Sequence, residues 1–224
     1  MSSVVFITGK DEQDINGKQP AAVRFFAHVF SYIFHPLFVP LYISAFLLYV
    51  HPAYFAGLSK NEKSIRLFSI GLNTILFPGI TVLLLKGLNF IESVFLRTQR
   101  DRIIPYIASG TFYFWMFWVT KNQLYPTIMV SFMLGICISA FAALMANIYG
   151  KVSMHAIGMG GMLGIFIIIM KSNSMLMTWP LALALLIAGI VCSSRLIVSD
   201  HSSKEVYTGL LLGAAAQFAA AFFV

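Results

Sequence analysis

The chain has 224 residues, of which 59% are hydrophobic and 10% charged, and its formal net charge is +7. A soluble domain carries about 25% charged residues, so a water-facing surface cannot be assembled from this composition and much of the surface must face lipid. No basic run interleaved with aromatics stands in a polar segment, so the positive charge points to anionic lipid heads and loop topology rather than to a nucleic-acid partner.

Residues 1–22 read as a polar N-terminal tail, passing through Lys18-Gln19-Pro20. They lack the basic start and short apolar core of a secretory signal. Residues 23–224 read as a single transmembrane helical domain. Seven stretches reach the roughly 20 apolar residues that a crossing needs, at about 25–50, 65–88, 103–120, 124–148, 153–171, 177–198 and 206–224. The expected fold is therefore all-α, a polytopic transmembrane helix bundle of six to seven spans. Its expected home is the bacterial inner membrane. Pro36 and Pro40 should bend the first span. Gly158, Gly160, Gly161 and Gly164 on the fifth span, with Gly209 and Gly213 on the seventh, predict close helix–helix contact. Cys137 and Cys192 sit inside apolar runs and give neither a metal spacing nor a disulfide framework.

Three polar clusters punctuate the spans: Arg97 to Pro105, Lys151 to His155, and Ser194-Arg195 with His201 and Glu205. Two crossings separate the first cluster from the second, and two more separate the second from the third. An even number of crossings returns the chain to the same face, so all three fall at one membrane surface. Four arginines, two histidines, a serine and a carboxylate would converge there. Guanidinium groups present a planar fork of donors suited to phosphate oxygens. A histidine backed by a carboxylate can act as a nucleophile, and a second histidine can protonate a leaving oxygen. Phosphoryl transfer needs positioning and charge neutralisation above all. No metal or other cofactor is expected, since no cluster of carboxylates is there to hold one. His201 and Glu205 are four apart, so if a helix already runs there the two side chains share a face.

Ordinary explanations exist for each residue. The arginines at 97, 100 and 102 could be basic flanks of a span. Ser202 and Glu205 have the spacing of a capping box. His155 could be a hydrogen-bonded interface histidine, and Arg195 could extend to the membrane surface. His28, His35 and His51 have no convergent partners in the sequence.

The three clusters together resemble the type 2 phosphatidic acid phosphatase superfamily, which includes the vanadium haloperoxidases. Its pattern is K-x6-R-P, then P-S-G-H, then S-R-x5-H-x3-D. Ser194-Arg195, His201 and Glu205 reproduce the third motif with Glu for Asp, and Val206, Gly209 and Gly213 follow in place. Ser153 and His155 match the second motif, with Val152 and Met154 replacing Pro and Gly. Arg102 matches the first, where Phe95 stands in place of Lys and Pro105 comes two residues late. The resemblance covers residues 97–213. It implies His201 as nucleophile, Glu205 as its orienter and His155 as general acid. It implies phosphate binding by Arg102, Arg195 and Ser153, with Arg97 and Arg100 as helpers.

The expected function is metal-independent hydrolysis of a membrane lipid phosphate or diphosphate. A lipid head-group phosphotransferase, or a non-catalytic lipid-binding protein on the same scaffold, are the rival readings. Lys and Arg number ten on the side of the motifs and five on the other. Without the four proposed phosphate ligands the ratio is six to five, so the membrane face of the site stays open.

Overall fold

The computed structural model describes residues 19–96, 98–172, 174–198 and 201–224. Most of the expected polar tail, and Arg97 among the candidate ligands, lie outside these. Among the described residues every regular element is helical. We number the helices α1 (Ala21–Ile33), α2 (Val39–Val50), α3 (Lys60–Gly87), α4 (Gln99–Asn122), α5 (Thr127–Tyr149), α6 (Met154–Ser172), α7 (Ser174–Val198) and α8 (Ser203–Phe223).

Among the described residues, five helical segments are long and apolar enough to cross a membrane: Lys60–Gly87, Thr127–Tyr149, Met154–Lys171, Met177–Val198 and Ser203–Phe223. Two of the seven expected spans differ. The stretch 25–50 is two short helices, α1 and α2, with a turn over residues 34–38 between them. Pro36 has no N–H to continue a helical ladder, and the residue before a proline is driven out of the α region. Helix α4 has 24 residues but is less apolar, because Arg100, Asp101, Arg102 and Lys121 occupy its ends and Tyr and Trp its middle.

Local chemistry sets the helix starts. The Ser59 hydroxyl accepts from the Glu62 N–H, and the Glu62 carboxylate accepts from the Ser59 N–H at 2.8 Å, a capping box that opens α3. Thr98 accepts from the Asp101 N–H at 3.1 Å to open α4. Helix α3 widens by one residue per turn over Leu72–Leu76, just before Pro78, where the missing N–H would interrupt regular pairing.

The packing is densest between α6 and α8, which run in the same direction. A Cβ on Gly209 would lie 2.7 Å from the Ser153 carbonyl oxygen, and one on Gly164 would lie 3.0 Å from the Gln217 Cβ. Methyl groups on Gly160 and Gly213 would run into the carbonyl oxygens of Leu210 and Ile157. The two backbones therefore touch, which is what small residues permit in lipid, where apolar burial drives no association. Helices α4 and α5 form a second close pair, this one antiparallel, in which a Cβ on Gly110 would lie 2.9 Å from the Phe141 ring. A large core of Ile43, Leu47, Ile70, Met129, Phe132, Ile165 and their neighbours fills the middle of the bundle.

Candidate active site

The helix ends bring the three clusters together. Helix α4 starts at the same end of the bundle where α5 finishes, since the Asn147 side-chain amide donates to the Gln99 carbonyl at 2.9 Å. The start of α6 meets the start of α8, since the Ser153 N–H donates to the Glu205 carbonyl at 3.3 Å. An open cavity of about 870 Å³ begins here. Arg102, Lys151, His155, Arg195 and His201 all line it. Among the described residues that line it none is a carboxylate, and Arg102, Lys151 and Arg195 give the mouth a positive field that attracts anions.

The imidazole of His201 is held by one strong contact. Its Nδ1 lies 2.5 Å from Glu205 Oε2. Ser202 caps α8 by accepting from the Glu205 N–H at 3.4 Å. That cap fixes the first turn and aims the Glu205 side chain back at His201 rather than at the cap backbone. His201 is held below the usual histidine value of 6.5, first by burial. The hydrogen bond and charge of Glu205 oppose that shift, and the charges of Arg195 and Arg102 add to it. At neutral pH the ring is uncharged. Nδ1–H then donates to Glu205, and Nε2 carries the free lone pair.

His155 is buried, and its Nε2 pairs with the Ser31 carbonyl at the end of α1 at 3.0 Å. A carbonyl only accepts, so Nε2 carries the proton and Nδ1 is the nitrogen left for chemistry. The side chain of Arg102 is 6% exposed. Its Nε donates to the Leu96 carbonyl at 2.8 Å, while its Nη1 is buried with no partner. Leaving such a donor unpaired is costly unless an anion completes it.

The remaining candidate ligands are placed differently. Ser153 is fully buried, and its hydroxyl accepts from the Ala156 N–H at 3.4 Å. It caps α6 and does not line the cavity. Arg100 is exposed and also outside the lining.

Several lining residues were not singled out by sequence reasoning. His35 was read as lacking convergent partners, yet its ring sits edge-on to that of His155 with centroids 5.4 Å apart. His28 also reaches the cavity. The signal was present in His35-Pro36, a titratable residue at a helix break inside an apolar stretch. Lys151 supplies a third lining cation.

Below the charged mouth the walls become apolar. Pro40 and Ile43 on α2, Val82 on α3, Ile136 and Ala140 on α5, and Met162 on α6 form much of the surface. Scans against protein-family models, curated proteins and solved structures find no match to this chain.

Proposed function

We propose that the protein hydrolyses a membrane lipid phosphate or diphosphate by way of a phosphohistidine on His201, with no metal required. The observation that carries this reading is the His201–Glu205 pair set in a cation-lined mouth above an apolar slot. Such a cavity suits an amphiphile with an anionic head, because each end meets a matching environment.

In the first step His201 Nε2 attacks phosphorus, and the bond from phosphorus to the lipid oxygen breaks. Glu205 takes up the charge that develops on the ring through Nδ1–H. The departing oxygen takes a proton from His155, which must enter the cycle protonated on Nδ1. Arg102, with Arg195 and Lys151 around the mouth, neutralises the phosphoryl oxygens. In the second step water attacks phosphorus, His155 accepts its proton, and the N–P bond breaks to release phosphate. Our reading also counts α4 as a crossing. What supports this is that α4 lies antiparallel against α5, which is long and apolar enough to cross.

Purified protein in nanodiscs, with excess chelator, should release phosphate from phosphatidate or a prenyl diphosphate. Denaturing quench with phosphorus-labelled substrate should trap an acid-labile, base-stable label on the protein. His201→Ala should abolish both signals. Full turnover in that variant would overturn the mechanism, and no turnover across both lipid classes would overturn the function.

A further inference from the structure

The cavity reaches polar groups well below its mouth, which an acyl-chain slot has no need of. Gln217 on α8 lines it and is 1% exposed, and its Oε1 has no hydrogen-bond partner. Ser109, Tyr113 and Ser139 line the cavity too. The fold makes room for this amide with glycines. A Cβ on Gly135 of α5 would lie 2.6 Å from Gln217 Nε2, and Gly164 of α6 faces the Gln217 Cβ. Gly164 is ten residues beyond Met154, so the amide lies about 15 Å below the mouth at the rise of an α-helix. That is half of a hydrocarbon core of about 30 Å.

A buried, unpaired carbonyl at the membrane midplane is expensive, and a polar group there is a functional candidate by default. A site that is polar and open to a cavity can hold water. A lipid chain that reaches the amide must strip that water and leave Oε1 against methylene groups. A chain that ends above it keeps the water and still buries its length on the apolar wall.

We propose that Gln217 and its neighbouring hydroxyls form a hydrated floor that limits the length of the lipid chain bound in the cavity. The ligand class is an anionic amphiphile whose chain ends above the midplane. Longer chains bind more weakly because their ends desolvate the floor. The proposal rests on the cavity being the lipid site of the reading above, but it concerns binding and needs no turnover.

The test is affinity for a graded series of linear alkyl phosphonates, octyl through octadecyl, with protein in nanodiscs and each affinity corrected for partition into protein-free nanodiscs. In the unaltered protein the corrected affinity should rise with chain length and then break. In Gln217→Met, which keeps much of the volume without the amide, the long-to-short affinity ratio should rise about tenfold, equivalent to about 1.4 kcal/mol. Ser139→Ala should move the ratio the same way by less, and it serves if the Met variant does not fold. A monotonic rise in the unaltered protein, no binding of any chain, or an unchanged ratio in a folded variant would overturn the proposal. A clear break in affinity with no phosphate release from any lipid would instead overturn the reaction and leave the floor standing.

Discussion

Replacing Glu205 by Gln keeps its shape and removes its charge, which isolates what the carboxylate does for His201. The two groups are 2.5 Å apart, with side chains 9% exposed for His201 and 23% for Glu205. Opposite unit charges about 4 Å apart are worth about 1 kcal/mol in water and about 4 kcal/mol at the effective dielectric of a protein surface. A partly buried pair falls between, at about 2–3 kcal/mol, so kcat should drop about 30- to 150-fold. The pH profile separates this from a packing defect. Burial, Arg195 and Arg102 lower the His201 value beneath 6.5, and Glu205 alone raises it. In the proposed mechanism the uncharged ring is the nucleophile, so the profile should have an acid limb below 6.5, and that limb should move to lower pH in Glu205→Gln. Stability should follow the same sign. The unfolded chain binds the proton more readily, so the His201 contribution is present above 6.5 and lost as pH falls through the folded value. The assay is phosphate release from phosphatidate across the acid and neutral range, with thermal unfolding alongside. An unmoved acid limb together with unchanged kcat would refute the reasoning.

Arg102→Lys cannot both hold the Leu96 carbonyl and meet an anion through a second nitrogen, so kcat/KM should fall about 10- to 100-fold, the worth of one charged hydrogen bond. Unchanged kinetics would remove Arg102 from the site. Ser153→Ala should lower stability by about 1 kcal/mol as a lost helix cap, seen in the unfolding midpoint, with kcat per folded molecule unaltered. A kcat loss like that of Arg102→Lys would put Ser153 on the phosphate after all. Gly213→Leu should drive α6 and α8 apart, costing about 1–3 kcal/mol or more from overpacking. An unfolding temperature equal to that of the unaltered protein would refute the backbone contact.

The polar clusters were legible because they lie at helix ends, where charge is cheap and spacing along the sequence counts crossings. The pairing of His201 with Glu205 was legible for a related reason, since the capped start of α8 turns the Glu205 side chain back to a residue four positions earlier. Ser153 shows the limit of that reasoning. The same hydroxyl suits a phosphate or an amide at a helix start, and only the position of Ala156 decides between them. His35 was illegible because its partner, His155, is 120 residues away and nothing local marks the contact. The first span was misjudged in length because its composition is uniformly apolar, while the turn at Pro36 is a backbone effect. Gln217 was overlooked for the opposite reason. One polar residue in an apolar helix is too small a signal until the glycines of two other helices are seen to receive it.

The glycine seam also divides the molecule into a stationary part and a part that can yield. With their main chains in contact, α6, which bears His155, and α8, whose capped start follows His201, pack as one unit. Whatever gives way to admit a bulky amphiphile must belong to the opposite wall. The first helix of that wall presents the Ser31 carbonyl to His155, so its displacement would withdraw the acceptor that fixes the tautomer. In the proposed mechanism, entry of a substrate that shifts α1 would therefore also change the readiness of His155 as proton donor.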